Sequence, residues 1–219
     1  VRAGFKAAGS GLAAAALLAG CAVAPLRPPV SDPGRAFDRH VQQMRGVDEW
    51  VVRGRLAVRT AERGETASLY WKRERSDHTI QLYGPFGAGR VILTRSEQGA
   101  TLRDGKDNLY EDDSAEALLN RVVGWRVPFE SMEHWVLGVP SPDSPYEIEL
   151  DAWGRLASLT QAGWRIEFQE YHYDDGEDLP RKMEINALPG SEHIIGASAA
   201  ENETIRIKAY IRRWNWPRN

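Results

Sequence analysis

One cysteine, Cys21, stands in a chain of 219 residues. That excludes an intrachain disulfide and any zinc site built on several cysteines. There is no P-loop lysine, no Gly-x-Ser-x-Gly elbow and no His-Glu-x-x-His pair, so common local signatures of nucleotide hydrolysis, serine hydrolysis and zinc proteolysis are missing. The five histidines form no readable cluster. The chain is therefore not expected to be an enzyme or to hold a metal or cofactor, although a catalytic triad need not be local in sequence. Positive charge is also short. The formal net charge is −3; residues 1–20 carry Arg2 and Lys6 and no acid, so the remainder carries −3 − 2 = −5. A mildly acidic domain is no nucleic-acid binder by bulk charge. The acids of "HYDDGED", His172 to Asp178, lack the alternating ligand spacing of a calcium loop and read as a solvated acidic turn. Long apolar runs are absent too. The alanine-rich run ending at Leu18 is too short for the ~20 residues of a spanning helix.

What is present begins with that run. Arg2 and Lys6, an apolar stretch and the small residues of Leu18-Ala19-Gly20-Cys21 have the order of an export signal. Leu-Ala-Gly-Cys resembles the lipobox of bacterial lipoproteins, in which the cysteine is lipidated and becomes the first mature residue. Residues 1–20 are then a signal peptide. Pro25, Pro28, Pro29 and Pro33 make residues 21–35 an extended tether. Residues 36–219 form one domain, long enough for a good-sized core.

The domain starts with helical spacing, Phe37, Val41 and Met44 sharing a side. A period of two then takes over. Val52, Leu56 and Val58 alternate with arginines, and the rhythm returns at Ala67-Leu69-Trp71, Ile80-Leu82, Trp164-Ile166-Phe168 and Ile205-Ile207-Ala209-Ile211. "GRVILT" is a short strand after the turn "GPFGAG", Gly84 to Gly89. In the middle, "SAEALLNRVVG" and "VPFESMEHWVLG" read as two short helices, the second with Pro128 near its start, Gly138 at its stop and Phe129, Met132, Trp135 and Val136 as its stripe. The fold class is mainly β: an antiparallel sheet, curled or closed, with short α-helices on its concave side. Eight tryptophans are many for this length. Trp71, Trp135 and Trp164 either fill a core or line an apolar ligand cavity. Arg53, Arg55 and Arg59, and Arg206, Lys208 and Arg212, read as solvated outer faces, with docking of a partner as the alternative.

Several segments in order resemble the LolB family: the lipobox, "WVVRGRLAV", "ASLYWKR", "LYGPFGAG", "GWRVPFESMEHWVLGVP", "GRLASLTQAGW" and "IRIKAYIRRW". The resemblance implies a LolA/LolB-like half-open β-barrel plugged and lidded by helices. It also implies an outer-membrane receptor that takes acylated lipoproteins from the periplasmic carrier LolA, inserts them into the outer membrane and uses no cofactor. The protein would act as a monomer anchored through Cys21 on the periplasmic face, and Ala22 in place of aspartate agrees with an outer-membrane address. The acyl-chain cavity is expected among Leu69, Trp71, Ile80, Leu82, Met132, Trp135, Trp164, Ile166, Phe168, Ile207 and Ile211, with Met132 and Trp135 as its exchangeable cover. In the family the matching turn projects an apolar side chain, usually leucine. Here Pro85 and Gly87 flank Phe86, which either dips into the membrane or packs inward on its own strands. A lipid-binding or structural envelope lipoprotein without a transfer role would share the tether, barrel and cavity.

Overall fold

The computed structural model describes residues 27–60, 64–84, 89–142, 144–174, 176–189 and 205–216. Helix α1 (Pro33–Arg45) precedes strands β1 (Glu49–Arg59), β2 (Gly64–Glu74), β3 (Asp77–Gly84), β4 (Gly89–Ser96), β5 (Gly99–Arg103) and β6 (Leu109–Asp112). Helix α2 (Ala115–Leu118) runs straight into one π-helical turn (Leu119–Val123), and α3 (Phe129–Trp135) follows. Strands β7 (Tyr146–Leu150), β8 (Leu156–Gln161), β9 (Trp164–Asp174), β10 (Glu177–Ala187) and β11 (Arg206–Asn215) complete the chain.

All the strands join one antiparallel sheet in the order β6-β5-β4-β3-β2-β1-β11-β10-β9-β8-β7. β1 and β11 pair at its middle, Val58 opposite Ile207 and Val52 opposite Trp214. The sheet does not close. Its edges are β6 and β7, consecutive in the chain, and the helical stretch joins one edge to the other. Both edge strands are short, four and five residues, which limits the row of backbone groups open to a foreign strand.

The period-two pattern explains which face is inside. On β11, Ile207, Ala209 and Ile211 are buried while Arg206, Lys208 and Arg212 are exposed, and Arg53, Arg55 and Arg59 of β1 lie beside them on the outer face. Trp164, Ile166 and Phe168 of β9 point in. The buried apolar residues of the strands and of α2 and α3 form one core cluster, each large side chain contributing about 1.5–3 kcal/mol by leaving water. α1 is started by the Asp32 carboxylate, which accepts from the Arg35 N–H at 3.0 Å, with Pro33 in the first turn. It buries Phe37 and Met44 and packs Val41 against the same core.

Gly54 marks the irregularity where β1 meets β11. A Cβ there would stand 2.2 Å from the Tyr210 carbonyl oxygen, so only glycine lets the backbones approach. Gly54→Ala is expected to destabilise the fold by about 1–3 kcal/mol, read as a lower urea midpoint; an unchanged midpoint would show that the sheet yields there.

Five strands carry no clear period in the sequence. β10 is the most instructive: Pro180 sits inside it, where the pairing with β9 shifts register between Pro180 and Lys182, and a bulge tolerates the missing N–H. The acidic "HYDDGED" segment is the β9–β10 hairpin. Its Asp178 is more than a solvated acid, because its carboxylate meets Arg27 at 2.6 Å and Arg155 at 3.6 Å.

Candidate functional site

Between sheet and helices lies a small cavity of about 50 Å³ with only apolar residues around it. Its floor is Leu56 and Val58 of β1, Leu69 and Trp71 of β2, Ile80 and Leu82 of β3, Val91 and Leu93 of β4, and Ile207 of β11. Its roof is the helical stretch: Leu119 from the π-turn, Trp125 and Val127 from the link, Phe129 and Met132 from α3. The strands place the floor residues because alternate positions on adjacent strands fall on one face, as in the row Leu69, Leu82, Val91. A space of this size holds a few waters, whereas ligand pockets run to about 300–1,000 Å³. The roof fills most of the interior.

Glycines end both helical segments of the roof. The π-turn ends at Gly124 and the segment after α3 passes through Gly138, both left-handed, at φ 77° and 75°. Single π-turns and residues that absorb large dihedral changes recur at functional sites and hinges. Glu116 of α2 accepts backbone N–H bonds from Phe129 and Glu130, tying α2 to the start of α3; burial, reinforced by Glu130, pushes its carboxyl above the ordinary 4.5.

Two polar devices hold α3 down. The first crosses the apolar interior. The Trp71 indole N–H donates to His78 Nδ1 at 3.2 Å, which leaves the proton on His78 Nε2, and that atom lies 2.7 Å from a Glu133 carboxylate oxygen. His78 is 1% exposed. Trp71 also packs on Phe129, ring centres 5.7 Å apart, and His78 meets the same ring edge-on. The second sits at the far end of α3. The buried Gln161 side-chain oxygen accepts from the Trp135 indole and from the Ser141 N–H, both at 2.9 Å, and its amide donates to the Ser141 and Ser144 carbonyls at 2.7 and 2.9 Å.

Burial alone would raise the Glu133 pKa, but His78 first, then Arg73 and His134, outweigh it and hold the carboxyl below the ordinary 4.5. A depressed acid stabilises the docked helix fully above its ordinary value, and the contribution is lost as pH falls through the depressed one. Glu116 works in the opposite sense, so the comparison must isolate Glu133. The melting-temperature gap between the native chain and Glu133→Gln is expected to be widest at neutral pH and to close below the glutamate range. A gap independent of pH would show that the pair has no ionic part.

Of the eleven residues expected around a cavity, the structure brings Leu69, Trp71, Ile80, Leu82, Met132 and Ile207 together there. Trp135, Trp164, Ile166, Phe168 and Ile211 are buried in the core away from it. Trp135 is 0% exposed and bonded to Gln161, the place of an anchor rather than a cover. Cys21 and the turn residues Pro85, Phe86 and Gly87 lie outside the described residues; β3 and β4 bring Gly84 opposite Gly89 at the base of that turn. His78, Glu133 and Gln161 were not singled out by the sequence reading. The first had a signal: two-residue spacing from Ile80 and Leu82 puts His78 on the inward face.

The profile of the family described as "Outer membrane lipoprotein LolB" matches residues 48–214. A protein named outer-membrane lipoprotein LolB from Pseudomonas fluorescens is 34% identical over 173 residues, 78% of this chain and 84% of the relative. Its namesake from Pseudomonas aeruginosa is 35% identical over 175 residues, 79% and 85%. Among solved structures, a putative outer membrane lipoprotein-sorting protein domain from Vibrio parahaemolyticus aligns with a TM-score of 0.52 at 8% identity, covering 83% of this chain and 91% of its own. A LolA superfamily protein from Nitrosomonas europaea gives 0.51 at 8%, covering 85% and 94%. At that identity the structures speak for the fold alone.

Proposed function

This chain belongs to the LolB family of outer-membrane lipoproteins, and from that premise we propose that it accepts acylated lipoproteins from the periplasmic carrier LolA, shelters their acyl chains and passes them to the outer membrane. The observation that carries this reading is the wholly apolar space between the sheet and the helical stretch that covers it. Lipoprotein acyl chains carry dozens of methylenes, and each is worth about 0.8 kcal/mol when kept out of water. A chain in transit needs an apolar cover throughout.

The resting cavity is too small for that cargo, so entry requires the roof to lift. Leu119, Trp125, Val127, Phe129 and Met132 cover the floor in the empty state, and acyl chains take their place in the loaded one. Met132 suits this exchange, since an unbranched thioether fits irregular apolar shapes. Trp135, fixed by Gln161, is the pivot about which the earlier part of the stretch swings. The swing separates Glu133 from His78, and that lost contact favours re-closure once cargo leaves. The function is binding and transfer without a catalytic step. With no nucleotide to drive it, cargo runs downhill in affinity, from carrier to this protein to bilayer. Cys21 carries the lipid anchor, the Pro85-Phe86-Gly87 turn meets the membrane at release, and the protein works as a monomer.

The test is to mix the soluble domain, beginning after Cys21, with carrier loaded with a lipoprotein. Cargo is expected to move onto the domain, and a fluorescent fatty acid should compete with it. Retention of cargo by the carrier at excess domain would leave a lipid-binding lipoprotein without a transfer role.

A further inference from the structure

The last part of the tether is docked on the domain. The Val30 N–H donates to the Ala152 carbonyl at 3.0 Å. The Trp153 indole donates to the Arg27 carbonyl at 3.0 Å, and the Arg27 guanidinium pairs with Asp178 at 2.6 Å and lies over the Tyr173 ring. These four contacts draw on the β7–β8 turn and the β9–β10 hairpin. Both turns lie at the end of the sheet where α1 leads into β1. The β3–β4 turn, based on Gly84 and Gly89, lies at the opposite end.

Reach then becomes decisive. From Arg27 back to Cys21 is six residue steps, at most about 21 Å fully extended. β3 alone, eight residues running from one end to the other, spans about 26 Å. A lipid on Cys21 therefore holds the α1 end near the bilayer for as long as Arg27–Val30 stay docked. With them released, the free chain reaches back to Pro33, twelve steps, or about 42 Å.

We propose that Arg27–Val30 form a releasable clasp that holds the α1 end of the anchored protein toward the bilayer, so that the β3–β4 end meets the membrane only when the clasp opens. The inference rests on the reading of Cys21 as the anchor. It adds an order of events: the resting protein offers its turn end to the periplasm and swings it to the membrane for delivery.

The experiment uses the full-length lipidated protein in vesicles of zwitterionic and anionic phospholipid containing a brominated quencher, without cargo or carrier. A fluorescent amino acid replaces either Gln98, at the α1 end, or Tyr83, at the turn end. The Gln98 probe is expected to be quenched and the Tyr83 probe spared. Arg27→Ala with Trp153→Phe opens the clasp and should raise Tyr83 quenching severalfold. Val30→Cys with Ala152→Cys should lock it, keeping Tyr83 spared until a reductant is added. The proposal is overturned if Tyr83 is quenched as strongly in the resting protein as in the opened one, or if Gln98 is not quenched in any form. Should the disulfide not form, the opened variant decides alone. Neither readout involves transfer, so a failed carrier assay and a failed clasp remain distinct results.

Discussion

Phe86→Glu is expected to leave uptake from the carrier unchanged and to cut delivery into vesicles by about tenfold or more. An acidic group in place of an apolar one at hydrocarbon depth costs about 3 kcal/mol, close to a hundredfold; a turn that enters only the headgroup boundary should show part of that. The base of the turn supports the reading. Gly84 pairs with Gly89 at the end of β3 and β4, and Tyr83 beside it is 42% exposed, an amphipathic ring suited to an interface. The two halves of the result must come from one preparation: carrier-to-domain transfer, then domain-to-vesicle transfer. Loss of both would mean that the turn packs on its own strands and that the substitution damages the fold. Full delivery would remove the turn from the mechanism.

Gln161→Leu should produce the largest loss of stability. Leucine keeps much of the volume and removes four hydrogen bonds at once. The Trp135 indole and the Ser141 N–H are left buried without an acceptor. At about 1–3 kcal/mol for each unsatisfied buried group, those two donors alone cost about 2–6 kcal/mol. A domain with a typical margin of about 5–15 kcal/mol loses a large share of it. Denaturant titration gives the total, and hydrogen exchange at the Trp135 indole tells whether the roof loosens before the sheet. A loss under about 0.5 kcal/mol would place the hold on α3 elsewhere.

How far the sequence revealed this molecule differs from strand to strand. β1, β2, β3, β9 and β11 were legible because each has one wet and one buried face: arginine, lysine or glutamate alternates with valine, isoleucine or tryptophan in β1, β9 and β11, and serine, threonine, glutamine or tyrosine takes the wet positions in β2 and β3. β7 was not, since an edge strand with Tyr146 half exposed has little to alternate. β8 buries residues on both faces, so Leu156, Ser158, Leu159 and Gln161 are all inside and no period survives. β10 was hidden by Pro180. For the two helices of the roof, the pair Asp113 and Glu116 points to a start one residue early, since the cap is Ser114, which accepts from the Ala117 N–H, while Gly138, left-handed, is the stop that its position suggests. The cavity floor followed from strand alternation, but its extent did not. Whether an inward tryptophan faces a hollow or a neighbour depends on where the helices land. Trp71 borders the hollow while Trp135 and Trp164 lie in solid core, and nothing local separates them. The polar ties that hold α3 join Gln161 to residues 17 to 26 positions away and His78 to Glu133, 55 positions away, and leave no local pattern.

The seam between β1 and β11 bears on how the protein is made. The strands from β1 to β6 can build outward as a meander of neighbours, and β7 to β10 likewise, each needing only short loops. The two halves have no sheet contact until β11 fits between β1 and β10. That step closes a loop of about 150 residues, the kind of distant pairing that slows folding. Export delivers the chain from its amino terminus, so β1 emerges first and must keep its inner edge unpaired until the last strand arrives. During that interval a row of free backbone groups beside Val52 and Val58 faces a compartment crowded with other emerging chains. Periplasmic chaperones that hold unpaired strands would be needed most at this seam, and a truncation that removes β11 should yield an aggregating half-sheet rather than a smaller version of the protein.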